Sequence, residues 1–115
     1  MIETDLYEHL KASVPLVNER VYANVLRQDV DKPAMVYTVV SERSTPSLGL
    51  ECEEVVIDWQ IHIYGDAYHA NKLVKNEVKA ALKSFSHHVL DVVVQDGFDE
   101  DEELYVQIVN FKTKD

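Results

Sequence analysis

The 115-residue chain is poor in what small folds use to cross-link, kink or loop: it has one cysteine, three glycines and three prolines. A lone cysteine, Cys52, excludes an internal disulfide. So few glycines and prolines leave little room for long turns or a flexible linker, and one compact domain over 1–115 is expected, with a single core shared by nearly every element. No stretch approaches the ~18 apolar residues of a membrane helix. The opening Met1-Ile2-Glu3-Thr4-Asp5 lacks the basic start and apolar run of a secretory signal, so cytoplasmic synthesis and no membrane partner are expected.

Positive charge is also scarce. Eleven Lys and Arg face 21 Asp and Glu, a formal charge of -10. Residues 1–50 hold seven acids and five bases, and 51–115 hold fourteen acids and six lysines, so the excess lies in the second part. Such a balance argues against holding nucleic acid by neutralising phosphates; its ordinary meaning is solubility.

Hydrophobic content is 46%, and its spacing sets out the elements. Ile2, Leu6 and Leu10 recur every four residues and predict a short amphipathic helix ending before Pro15. Val21–Ala23 allows a short extended piece, and Asp31-Lys32-Pro33 signals a turn. Ala34 to Arg43 is β-branched and aromatic, and predicts a strand followed by a loop at Ser44–Gly49. Val55, Ile57, Trp59, Ile61 and Ile63 then alternate with Val56, Asp58, Gln60, His62 and Tyr64, giving a strand with one apolar and one mostly polar face.

Beyond Gly65, Asp66 is placed to cap a helix whose stripe is Ala70, Leu73, Val74, Glu77, Val78, Ala81, Leu82 and Phe85. Two more strands, about Val89–Gln95 and Leu104–Lys112, are expected on either side of Asp96-Gly97 and the acid run 99–103. The pattern is α+β in the order α-β-β-α-β-β. It predicts a mainly antiparallel sheet of four to five strands with both helices on the Trp59 face, leaving the other face to solvent or a neighbouring subunit.

Residues that carry chemistry are present but not in working patterns. His9, His62, His69, His87 and His88 form no His-Glu-x-x-His helix, and the acid run lacks the calcium-loop order. His62 and His69 are near enough in sequence to meet across the strand-helix junction, although ordinary polar-surface roles account for them. Cys52 lies between Glu51 and Glu53, whose charges oppose thiolate formation. Ser41, Ser44, Ser47, Ser84 and Ser86 sit in no Gly-x-Ser-x-Gly turn, and Gly49, Gly65 and Gly97 are too scattered to cradle a phosphate. No metal, cofactor or catalytic residue is expected, and the chain is not expected to be an enzyme.

Two charged features have alternative readings. Lys72, Lys75, Lys79 and Lys83 make either the wet side of the second helix or a stripe facing DNA, and the wet side suffices. Asp99, Glu100, Asp101, Glu102 and Glu103 make either a solvated turn or a docking loop for a basic partner.

Several short pieces together resemble a known family. Glu19-Arg20-Val21-Tyr22, Lys32-Pro33-Ala34-Met35-Val36-Tyr37, Ser47-Leu48-Gly49, Trp59-Gln60-Ile61-His62-Ile63-Tyr64-Gly65, Leu82, Leu104-Tyr105-Val106 and Asn110-Phe111 resemble, in order and spacing, the phage tail completion or tail terminator-like family. The closing Lys112-Thr113-Lys114-Asp115 and the density of the 99–103 acid run depart from its pattern.

The resemblance implies an α+β subunit of a ring, commonly hexameric, at the head-proximal end of a tail, as terminator or head-tail joint. It implies no cofactor and no catalysis; the partners are other copies of the chain, the tail tube protein and the head connector, with DNA only passing through. A net acidic lumen would not trap DNA. The implied location is the bacterial cytoplasm during assembly and then the virion tail.

A ring needs two different patches on one subunit. In the 44–54 connection, Pro46, Leu48 and Leu50 are candidates for the subunit interface, with packing inside the monomer as the alternative for the two leucines. The competing function is a small acidic protein-binding module of bacterial regulation that uses the 99–103 loop.

Overall fold

The computed structural model describes residues 2–26, 30–46 and 53–114. In order these form α1 (Ile2–Ser13), a single 3-10 turn (Pro15–Val17), β1 (Val21–Ala23), β2 (Ala34–Pro46), β3 (Glu53–Gly65), α2 (Tyr68–Lys83), β4 (His88–Asp99) and β5 (Leu104–Lys114). The strands make one sheet in the order β1-β2-β3-β5-β4. The three longer pairings are antiparallel, whereas β1 runs parallel to β2, Val21 opposite Met35. The sheet is therefore mixed and the element order is α-β-β-β-α-β-β, a correction to the expected order. Three residues of Val21–Ala23 carry too little pattern to assert a strand; the parallel pairing with β2 makes them one.

The alternating residues of β3 set the layers. Ile57, Trp59, Ile61 and Ile63 are buried and join Leu6 and Leu10 of α1, Val74, Val78 and Leu82 of α2, and Val109 and Phe111 of β5 in one core. Both helices thus cover the Trp59 face. Trp59 stacks on Phe111 across the β3–β5 pair, with centroids 6.2 Å apart and planes 8° apart. Its indole Nε1 donates to the hydroxyl of buried Thr113 at 2.9 Å, so the one polar atom of the ring is satisfied inside the core.

Several boundaries differ from the sequence reading. β2 continues to Pro46, past the expected loop start at Ser44, because β3 pairs with it that far, Pro46 opposite Glu53. β4 likewise continues through Asp96 and Gly97 to Asp99, paired along β5, so the tight turn is confined to 100–103. Cross-strand hydrogen bonding overrides the turn preference of Asp-Gly here. Asp66 does not cap α2; the residue at the helix start is Ala67, with no side-chain cap.

The buried stripe of α2 also differs from the expected one. Leu73 is 58% exposed and Ala70 is exposed, while Asn71 is fully buried. The Asn71 Nδ2 donates to the carbonyls of Ile63 at 2.9 Å and Tyr105 at 3.1 Å, tying α2 to β3 and β5. A Cβ placed on Gly65 would lie 2.5 Å from the Asn71 Oδ1, so glycine at the end of β3 is what lets the helix seat this closely.

Asn71→Ala removes the donor to two carbonyls and is expected to lower unfolding free energy by about 2 kcal/mol, read from urea midpoints. Gly65→Ala is expected to destabilise as well. Because both changes act on one contact, the double variant should lose clearly less than the two single losses combined.

Candidate functional site

The two faces of the sheet and its two ends offer different chemistry. On the helix side, near the start of α2, Asp96 of β4 accepts from Gln107 Nε2 at 2.6 Å and from the Tyr68 hydroxyl at 3.2 Å. The Lys72 ammonium lies 3.8 Å from the same carboxylate and 4.7 Å from the Tyr68 ring centroid. These contacts, the Gln107 hydrogen bond foremost, hold the Asp96 carboxyl below its ordinary value of 3.8. These contacts tie α2 to the β4–β5 pair.

The outer face carries rows of polar side chains across neighbouring strands. Ser41 donates to Asp58 at 2.7 Å, and Lys112 sits 3.9 Å from the same carboxylate. One row further along, Gln60 Nε2 donates to Asn110 Oδ1 at 2.9 Å and Asn110 Nδ2 donates to Gln95 Oε1 at 3.4 Å. His62 and Tyr64 stack next, with centroids 6.0 Å apart, beside a depression of about 420 Å³ also lined by Gly97, Val106 and Ile108. Burial pushes the His62 imidazole below its ordinary 6.5, and the Tyr64 phenol above 10.0 by burial with a smaller contribution from the Asp99 charge.

The ends of β4 are the most contrasted surfaces. This edge strand is the least covered, with Val92 and Val93 exposed and Phe98 51% exposed. At its start, a cleft of about 360 Å³ opens between the end of α2 and β4, with Leu82, Phe85, Val89 and Val92 beneath and Lys79, Lys83, His87 and His88 around it. His87 is bound to Asp5 of α1 at 2.8 Å, which holds the Asp5 carboxyl below its ordinary range. At the other end of β4 lies the acid turn. The Asp99 carboxylate accepts from the backbone N–H of Asp101 at 3.1 Å and of Glu102 at 3.2 Å, while Glu100, Asp101, Glu102 and Glu103 project into solvent.

Of the residues singled out from sequence, Asp99 is a turn-former and the other four acids form the exposed turn. Leu48 and Leu50, with Ser47, Gly49 and Cys52, lie outside the described residues; Pro46 ends β2, but its side chain is not described. His62 faces outward on β3, and His69 makes its ring contact with Tyr68. His9 donates from Nε2 to the Ala81 carbonyl at 2.7 Å, fastening α1 to α2. Sequence reasoning missed the cleft, since its lysines looked like the wet side of a helix; the nearby His87-His88 pair and Phe85 were the available signal. Among the described residues, no group of three or more His, Cys, Asp or Glu is placed to hold a metal, and no helix is long and apolar enough to cross a membrane.

No family model matches the chain, and no curated protein matches it. Solved structures do share its fold. A chain in the structure described as the virion of a native gene transfer agent (GTA) particle superposes with a TM-score of 0.69, covering 95% of this chain and 90% of that one, at 16% sequence identity. At that identity the likeness establishes the shared fold.

Because folding disfavours protonation of His62, its contribution to stability is complete above about pH 6.5 and is lost as pH falls through the lowered folded value. His62→Gln is expected to flatten the fall in urea midpoint between about pH 7.5 and 5, leaving the later acid loss from Asp5 and Asp96, which sets in below 3.8.

Proposed function

We propose that the chain is a structural protein of a phage-like virion, a subunit of a ring at the head-proximal end of the tail, as tail terminator or head-tail joint. The observation that carries this reading is the fold likeness, across nearly the whole of both chains, to a chain of the GTA virion. The ordered sequence pieces that resemble the tail completion family favour the same answer independently of the fold.

The physical character of the surface supports an assembly role. A sheet that the described helices cover on one face, with an exposed edge strand carrying Val92, Val93 and Phe98, leaves area that gains from burial against another subunit. In this proposal the partners are further copies of the chain, the tail tube protein and the head connector; DNA passes through the ring, and the protein works without cofactor or catalysis. Pro46, Leu48 and Leu50 remain proposed as a contact between neighbouring subunits, and the 99–103 turn as a docking loop for a basic partner surface. The chain acts in the virion tail, after assembly in the bacterial cytoplasm.

Light scattering across a concentration series, followed by negative-stain imaging, tests this reading. Closed rings of about six copies are expected, formed either by the chain alone or on added tail tubes, whose ends they should cap. A chain that stays monomeric at every concentration and leaves tube ends bare would overturn it.

A further inference from the structure

We infer that the contact closing the ring is a head-to-tail joint in which the acid turn of one copy seats in the lysine-rimmed cleft of the next. This rests on the ring reading above and gives it a specific chemistry.

Lys79 and Lys83 stand one helical turn apart at the rim, an arrangement of like charges that is unfavourable by itself. Neither is paired with a carboxylate among the described residues, in a chain with a formal charge of -10. Asp5, whose carboxylate reaches His87 on the rim, is engaged by that imidazole. The rim is thus a concentrated positive site on a negative molecule, set over an apolar floor that includes the 41%-exposed Val92.

The turn has the complementary properties. Glu100, Asp101, Glu102 and Glu103 have no ion pair among the described residues, and a docked cation would offset their mutual repulsion. The two backbone hydrogen bonds to Asp99, with Glu103 at φ 55°, fix the turn, so little ordering entropy opposes docking. Half-exposed Phe98, next to the turn, supplies an apolar group for the cleft floor.

Position decides that the occupant is a second copy. The twelve residues of β4 separate cleft from turn by roughly 36 Å at ~3.3 Å per residue, so one chain cannot close the contact on itself. The patches do not overlap, and each subunit can therefore donate one and accept the other, as a heterologous ring interface requires. A joint of this kind weakens as salt screens it.

The test uses two variants of the full chain, K79E/K83E and E100S/D101N/E102S/E103N, all at exposed positions, with thermal melts showing that each folds. Each alone should fail to form the large species that wild type forms, or to cap tubes if wild type needs them. Mixed in equal amounts, the two should give a complex of twice the 13.2 kDa chain mass that does not grow further, because only one joint per pair is intact. If either variant still closes rings, or the mixture stays monomeric while wild type assembles, this joint is wrong and the ring reading stands. If wild type never assembles, with or without tubes, both fall together.

Discussion

The seating of two helices on one face of β3 is the constraint from which the rest of the molecule follows. Trp59 lies at the middle of that face, stacked on Phe111 and hydrogen-bonded to Thr113, with Tyr37 of β2 near its other side. Burying Leu6, Leu10, Val74, Val78 and the isoleucines of β3 against it supplies on the order of 2 kcal/mol per side chain, the largest favourable contribution available to a domain of this size. Both helices are used up in doing so. Nothing remains among the described elements to cover the outer face or the β4 edge.

The outer face is adapted to that exposure by pairing its polar groups sideways, Ser41 with Asp58 and Gln60 with Asn110, so the strands stay in register without a second apolar layer. The β4 edge is treated differently. It keeps exposed valines and breaks its own pairing between Leu90 and Val93, where Asp91 takes a left-handed φ of 52°. Such a bulge bends an edge away from uncontrolled strand addition.

Much of the layer arrangement was legible in the sequence because period-2 and period-3.6 patterns report directly on burial. The β3 alternation marked its buried face, and Leu6 and Leu10 marked that of α1. What escaped depends on contacts distant in sequence. Asn71, absent from the expected apolar stripe, is buried by the Ile63 and Tyr105 carbonyls that it satisfies. Asp96-Gly97 looked like a turn until β5 was there to pair with it. The acid run was visible at once, but the cleft was not, because Lys79 and Lys83 become its rim only when β4 packs beside the end of α2.

These surfaces make one central claim, that the subunit is polar end to end and joins its neighbour through opposite charges at the two ends of β4. The most direct test is zero-length carbodiimide coupling of assembled rings made from equal amounts of 14N- and 15N-labelled chain, followed by mass spectrometry. Mixed-isotope peptides linking Lys79 or Lys83 to an acid among Glu100–Glu103 are expected. Rings whose mixed-isotope links exclude both lysines would contradict the claim.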